Sequence, residues 1–355
     1  MSTLFAEIVS VDSIHPHPNA ERLDIVKIKG TQTIVTKGSF APGDKGVYFP
    51  PDILISDPVA DRLGVAKFLK SAQYEENKPK SRCRVAACRL RGIPSYGFLI
   101  PTELTEPLGA NVNDLFEARK YEPPLVVAEG EQAEEYVTFH RYSSPEHFWK
   151  FPEAIADGEP VCITEKIHGT NCRVGVIRGL DGFFHFMAGS HRVNRKQFDA
   201  IGRESRYWKP LADHGVQALL DHLRSGEGNV ILFGELFGRG VQDMDYGTAG
   251  GFRAFDISVR GEYLDYQQFV DVCDEFNVPR VPELYVGSFR RDLLDFTDGP
   301  TYLAAPDKIT SPFKGREGIV IKPLANRYNE TLGGRVILKS VSADYLDRKG
   351  AEDNE

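Results

Sequence analysis

The sequence predicts an α+β protein with two domains: a small β-barrel first, then a larger domain of antiparallel sheets with flanking helices. Three observations support this. The chain has 355 residues, more than one ordinary domain holds. Its first third alternates short β-rich runs with Pro, Gly and Asn turns. Beyond residue 135 short apolar strands recur, with only two helical stretches among them.

In the N-terminal third the strand candidates are Phe5–Val11, Leu23–Lys29, Thr33–Thr36, Gly46–Phe49, Arg82–Leu90 and Ser95–Ile100. Between them lie the turns His15-Pro-His-Pro-Asn19, Lys29-Gly30 and Ala41-Pro-Gly-Asp44. Short strands at this density suggest a barrel. His15 and His17, beside prolines, read as turn residues rather than a metal site. The domain limits are residues 1–117, with a Pro- and Glu-rich linker over 118–135 (Glu122-Pro-Pro124, Glu129–Glu135). The second domain covers 136–347. Its strands fall near 160–166, 171–178, 183–188, 230–236, 252–259, 317–322 and 335–340, and its helices near 209–225 and 265–276. A polar tail, 348–355, ends the chain.

Composition narrows the class. Hydrophobic residues make up 41% and charged residues 26%, as expected of a folded globular protein. No apolar run spans a membrane, and the start lacks a basic region followed by an apolar core, so neither a membrane segment nor a signal peptide is expected. Five scattered cysteines without zinc-ligand spacing read as reduced thiols of a cytoplasmic protein. The net charge of −8 argues against a uniformly basic nucleic-acid coat. It is uneven, however: residues 1–120 carry 16 Lys+Arg against 14 Asp+Glu, the remainder 27 against 37. A local basic groove remains compatible with this, because only the phosphates it touches matter.

The chemistry concentrates around Ile163-Thr-Glu-Lys-Ile-His-Gly-Thr-Asn171. A strand ends at Lys166, Gly169 lets the backbone turn, and a second strand returns from Asn171. In an extended run Thr164, Lys166 and His168 point the same way. A lysine is nucleophilic when deprotonated and held in place. Val230-Ile-Leu-Phe-Gly-Glu-Leu-Phe-Gly238 buries one carboxylate, Glu235, in an apolar strand, which calls for a partner. In Phe252-Arg-Ala-Phe-Asp-Ile257, alternation puts Arg253, Phe255 and Ile257 on one face and Asp256 on the other. Glu317-Gly-Ile-Val-Ile-Lys-Pro323 carries a carboxylate and a lysine whose odd spacing separates them in a straight strand, so a shared site needs a twist or a strand-end position. Arg335-Val-Ile-Leu-Lys-Ser340 supplies a final lysine.

Taken in this order, the five elements resemble motifs I, III, IIIa, IV and V of the covalent nucleotidyltransferase superfamily of ATP-dependent ligases and capping enzymes. Lys166-Ile-His-Gly-Thr-Asn171, with His168 where DNA ligases usually carry Asp, is similar to RNA ligases of the phage and kinetoplastid editing type. His17-Pro-Asn-Ala-Glu-Arg-Leu-Asp24 and Phe40-Ala-Pro-Gly-Asp44 resemble an OB-fold domain, and an OB-fold ahead of the transferase looks like the bacterial and protist branch of those ligases. The resemblance implies an OB-fold plus a nucleotidyltransferase (ATP-grasp-like ligase) domain.

It also implies ATP and Mg²⁺ (or Mn²⁺) as cofactors. RNA, or an RNA-containing duplex with 3′-OH and 5′-phosphate ends, would be the partner, and the protein would act as a monomer. Lys166 would take AMP from ATP. Glu165 would help place the adenine, His168 would act near the phosphates, and Asn171 near the polynucleotide ends. Arg192 and Glu235 would contact the ribose, Phe255 would stack on adenine, and Glu317 would be the metal-linked carboxylate. Lys322 closes motif IV. Motif V often has lysines two apart; here Ile337 fills the first slot and only Lys339 remains, so Lys322 or an arginine would supply the missing contact to the α-phosphate. DNA ligase, RNA-capping guanylyltransferase and a non-catalytic OB-based RNA-binding protein are the alternatives. Lys78, Lys80, Arg82, Arg84, Arg89 and Arg91 crowd into 14 residues, with Arg82 and Arg84 on one strand face; they read either as a phosphate-tracking surface or as a solvated charged strand.

Overall fold

The computed structural model describes residues 4–75, 78–122, 131–179, 181–224 and 228–347. The tail 348–355 and the middle of the expected linker, 123–130, lie outside the described residues. The chain forms two compact units, Met1–Pro124 with Leu346–Glu355, and Leu125–Tyr345.

The first unit is built of small antiparallel sheets. Glu7–Ser10, Lys45–Phe49 and Phe98–Pro101 form one, and the meander Ser13–Pro16, Leu23–Ile28, Thr31–Thr36 another. Its core holds Ile8, Val47, Phe49, Ile53 and Val59, with Phe49 stacked on Phe98 at 4.5 Å. The expected strand Ser95–Ile100 is in fact two, Ile93–Tyr96 and Phe98–Pro101. Gly97 breaks it at φ 72°, where an added Cβ would lie 2.1 Å from the Phe49 carbonyl oxygen. The expected strand Arg82–Leu90 is also two, Ser81–Arg84 and Ala87–Leu90.

Arg82 and Arg84 do not share a face. A bulge sets Lys70 opposite Arg84 and Ser71 opposite Arg82, so the residue between loses its partner and the alternation slips. Arg82 stays exposed; Arg84 turns inward, 2.5 Å from Asp52. Within the stretch read as linker, Arg119–Lys120 pairs with Ile53–Leu54. His17 is a turn residue: one ring nitrogen meets the Leu90 carbonyl and the other accepts from the Asn19 amide.

The second unit packs two sheets. A six-stranded sheet runs Asn194–Arg195, Phe184–Ser190, Thr170–Arg178, Val230–Phe237, Gly251–Val259, Glu262–Tyr263. A five-stranded sheet runs Glu146–His147, Leu338–Val341, Gly318–Pro323, Pro160–Lys166, Glu283–Ser288. The helices His214–Arg224 and Tyr266–Glu275 bury Val216, Leu219, Leu220, Phe269 and Val272 in the core on one face of the six-stranded sheet. A capping box, Asp265 with Gln268, starts the second. The first helix begins later than expected because residues 206–212 form a 3₁₀ turn containing Pro210, which cannot sit inside an α-helix. Between the sheets lies a cluster of Phe139, Tyr142, Phe233 and Ile337, with Phe255 and Val320 against it.

Candidate active site

Strand register decides which side chains enter the space between the sheets, because paired residues share a face. On the five-stranded sheet Lys166 pairs with Gly318, Thr164 with Val320, Cys162 with Lys322, and Val320 with Lys339. Lys166, Lys322 and Lys339 therefore project from one face, the one that carries Val320 into the inter-sheet cluster. On the six-stranded sheet Asn171 pairs with Glu235 and Glu235 with Arg253, and the same face carries Phe233.

Phe255 and Asp256 reach this face by a bulge. Phe233 pairs with Asp256 but Gly234 pairs with Ala254, leaving Phe255 unpaired. The alternation expected from sequence is thereby corrected: Arg253 and Asp256 lie on the inter-sheet side, and Ile257 and Ala254 on the helix side. The Phe255 ring stands 4.8 Å from that of Tyr142.

Lys166 closes its strand with Nζ donating to Glu317 Oε1 at 2.7 Å. Both are nearly buried. Glu317 immediately precedes Gly318–Pro323, so it is free of strand alternation and meets Lys166 while Lys322 projects further along. Gly318 permits this approach: a Cβ there would lie 2.1 Å from the Ser340 carbonyl oxygen. His168 follows in the turn. Its Nε2 contacts Asp243 Oδ1 at 2.6 Å, its Nδ1 the Tyr345 hydroxyl at 2.8 Å, and Nδ1 lies 3.9 Å from Glu317 Oε2. The His168 amide donates to the Tyr246 hydroxyl at 2.8 Å. Gly169 lies outside the left-handed region; glycine is required there by proximity, since a Cβ would come within 2.2 Å of the Leu236 carbonyl oxygen and 2.9 Å of Glu235 Cγ. Asn171 is 4% exposed, and its Oδ1 has no hydrogen-bond partner among the described residues, a buried acceptor suited to a donor from a bound molecule.

Lys322 is held differently from Lys166. Its Nζ donates to the Phe255 carbonyl at 2.8 Å and to Asp256 Oδ2 at 3.2 Å. Asp256 also accepts from Arg335 Nη2 and, at 2.8 Å, from the Tyr142 hydroxyl. Burial alone would favour protonated Asp256, but Lys322 and Arg335 outweigh it and hold the carboxyl below its usual range. Arg335 lies 3.9 Å over the Tyr263 ring. Lys339 is 2% exposed, and Ile337 sits in the apolar inter-sheet cluster.

One expected residue stands apart. Glu165 alternates to the opposite sheet face from Lys166, where its carboxylate accepts from the Thr301 hydroxyl at 2.5 Å and the Tyr302 amide at 2.8 Å. Burial raises its pKa against those donors and Arg316. Arg192 lies in the turn between Phe184–Ser190 and Asn194–Arg195. Ser190 pairs with Cys172, which places that turn at the Asn171 end of the sheet.

A family model for RNA ligase matches residues 159–341, a little over half of the chain. The chain belongs to the RNA ligase family. A second model, an OB-fold domain, matches residues 5–102, and the first unit of this RNA ligase family member is its OB-fold domain. Similar solved structures include a lysine-to-alanine mutant of Naegleria gruberi RNA ligase with ATP and Mn. It is 24% identical, with a TM-score of 0.76 over 96% of this chain and 98% of that one. A glutamate-to-alanine mutant of the same ligase with AMP and Mn (24% identity, TM-score 0.75, 97% and 98% covered) and the ligase with PPi (24%, 0.73, 98% and 98%) are also similar. At this identity the likeness establishes the fold. Among curated proteins none matches the chain.

The family match leaves several site residues that sequence reasoning did not single out: Asp243, Tyr246, Tyr345, Tyr142 and Arg335. Only Arg335, at the head of the last β run, carried a signal. Among the described residues no helix is long and apolar enough to cross a membrane.

Proposed function

We propose that this chain is an ATP-dependent RNA ligase that joins 3′-OH and 5′-phosphate ends, sealing nicks with RNA on the 3′-OH side. Lys166 Nζ attacks the α-phosphorus of ATP. The bond to the β-phosphate breaks and pyrophosphate leaves, giving lysyl–AMP. A 5′-phosphate oxygen of the RNA then attacks that phosphorus, the P–N bond breaks, and Lys166 is restored. Finally the 3′-OH attacks the activated 5′-phosphate and AMP leaves. The observation that carries this reading is the Lys166–Glu317 contact at 2.7 Å between two sheets whose facing sides also carry Asn171, Glu235, Phe255 and Lys339. The Naegleria gruberi structures with ATP, AMP and PPi support it.

In this reading Phe255 stacks on adenine, and Glu235 and Arg192 contact the ribose; Glu165, expected to help place the adenine, instead bonds Thr301 and Tyr302 on the far face of the strand that ends at Lys166. Asn171 offers its unpaired Oδ1 near the polynucleotide ends, His168 lies near the leaving phosphates, and Lys339 offsets phosphate charge. Among the described residues no three His, Cys, Asp or Glu side chains are placed to hold a metal by themselves. One carboxylate, Glu317, fits Mg²⁺ or Mn²⁺, which keeps its waters and binds through one or two carboxylates plus substrate phosphates. Such an ion supplies positive charge to the phosphates. The protein acts as a monomer in the cytoplasm.

The test is incubation with α-labelled ATP or GTP, followed by sealing of nicked duplexes with ribose or deoxyribose at each terminus. Label from ATP on Lys166, absent in Lys166→Ala, and sealing only with a 3′ ribose are expected. Label from GTP, or equal sealing of all-DNA nicks, would overturn the reading.

A further inference from the structure

We propose that the OB-fold unit carries a single-stranded RNA docking surface centred on Phe68, formed with Lys67, Lys70 and Arg82. This deepens the ligase reading and rests on it. Residues 62–91 hold nine Lys and Arg against two Glu, a net of +7 within a chain of net −8. A segment so charged, in an acidic protein, is a local phosphate-attracting field. Arg84 is withdrawn from it by its buried pair with Asp52, and Lys78 is paired with Glu75. Lys67, Lys70 and Arg82 remain exposed.

The aromatic at the centre decides the ligand. Phe68 is 62% exposed at the end of the 3₁₀ turn Ala66–Phe68. The turn itself is anchored: Leu69 is buried, and Val65 and Ala66 pack on the core. The ring is therefore presented on a fixed support. Lys67 Nζ lies 5.0 Å from the ring centroid, and Arg82 Nη1 donates to the Lys67 carbonyl at 2.8 Å, drawing two cations to the ring. Lys70 begins the edge strand Lys70–Ala72 just beyond. A solvent-facing ring among cations matches an unpaired base stacked on the aromatic while its flanking phosphates meet the lysines and arginine. A paired duplex offers no free base face to Phe68, so a single-stranded stretch is the occupant.

The experiment measures binding of fluorescein-labelled oligouridylate across a salt series by the full chain. Phe68→Ala should weaken binding about 5- to 150-fold, the range of base–aromatic stacking. Lys67→Ala/Lys70→Ala/Arg82→Ala should lower the slope of log affinity against log salt by about 2, for three lost contacts at ~0.7 each. Both variants should melt as wild type does and take AMP from ATP at the wild-type rate. If wild type binds the RNA and both variants bind it with equal affinity and slope, the surface is overturned and the ligase reading stands. If wild type takes no label from ATP and seals no RNA, the ligase reading fails, and the surface falls with it.

Discussion

Gly169→Ala tests whether the motif around Lys166 works through close packing rather than through a turn. The added methyl would stand 2.2 Å from the Leu236 carbonyl oxygen and 2.9 and 3.0 Å from Glu235 Cγ and Oε1. An ordinary contact is about 3.5 Å, so the hairpin and the strand Val230–Phe237 must separate by roughly 1 Å or more. Part of the obstacle is main chain, which no rotamer change relieves. Overpacking of this kind costs about 1–3 kcal/mol, a shift of ~2–12 °C in melting for a unit of this size. A displacement of about 1 Å at the reacting groups is worth ~10²-fold in rate. The expected result is a protein that still folds but transfers AMP from labelled ATP to Lys166 about 10²-fold more slowly. Gly334→Ala is the control, because its methyl would meet only Leu332 Cδ2 at 3.6 Å. Adenylylation of Gly169→Ala as fast as that control would refute the packing argument.

Asp256→Asn should destabilise the protein by about 3–5 kcal/mol, because Lys322 and Arg335 lose the one carboxylate they share between the sheets; the urea midpoint measures it, and an unchanged midpoint contradicts it. Since the folded Asp256 carboxyl titrates below its unfolded value, its stabilisation is present above about pH 4 and disappears as pH falls through the folded value. The wild type should therefore lose stability in acid that the Asn variant does not have to lose. Tyr345→Phe keeps the ring and removes the hydroxyl bonded to His168; single-turnover label transfer should slow about 2- to 10-fold, the worth of one hydrogen bond, while melting stays near wild type. Of the five cysteines only Cys88 is exposed, and burial raises the thiols of Cys83, Cys162, Cys172 and Cys273, those of Cys162 and Cys273 to about 11 and 12. Native labelling with a thiol reagent should mark one site, and rapid labelling of a second would show that a core opens.

The candidate strands stood out because each is an apolar run interrupted by only one or two charges. Lys166, Glu235, Glu317 and Lys339 all stand where an uncompensated charge would be costly, and burial of each makes the same point in the structure. What failed was alternation. Bulges at Phe255 and between Arg82 and Arg84 each turned a neighbouring charge inward, Asp256 in one case and Arg84 in the other. A period-two pattern contains no mark of an extra residue, so both were assigned to the wrong face. Asp243 and Tyr345 were invisible for another reason: they reach His168 from 75 and 177 residues away, and no local pattern encodes that approach.

The sheet register also sorts the lysines that a one-lysine motif V left ambiguous. All three project from the same face, yet Lys322 already donates to the Phe255 carbonyl and to Asp256. Moving it to a phosphate would strip Asp256 of one of its two cations in a fully buried setting, a penalty of several kcal/mol. Arg335 is bound to the same carboxylate and stacked on Tyr263, so it is no freer to move. Ile337 is packed among Phe139, Tyr142 and Phe233, where a lysine would bring an unpaired charge into an apolar cluster. In the proposed reading Lys339 contacts the α-phosphate, and Lys322, through its bond to the Phe255 carbonyl, fixes the backbone of Phe255. Lys339→Met should then abolish lysyl–AMP formation. Lys322→Met should chiefly weaken ATP binding through Phe255 and destabilise the fold through Asp256. Comparable kcat losses with unchanged KM for ATP in the two variants would show that both lysines serve the phosphate and that this division is wrong.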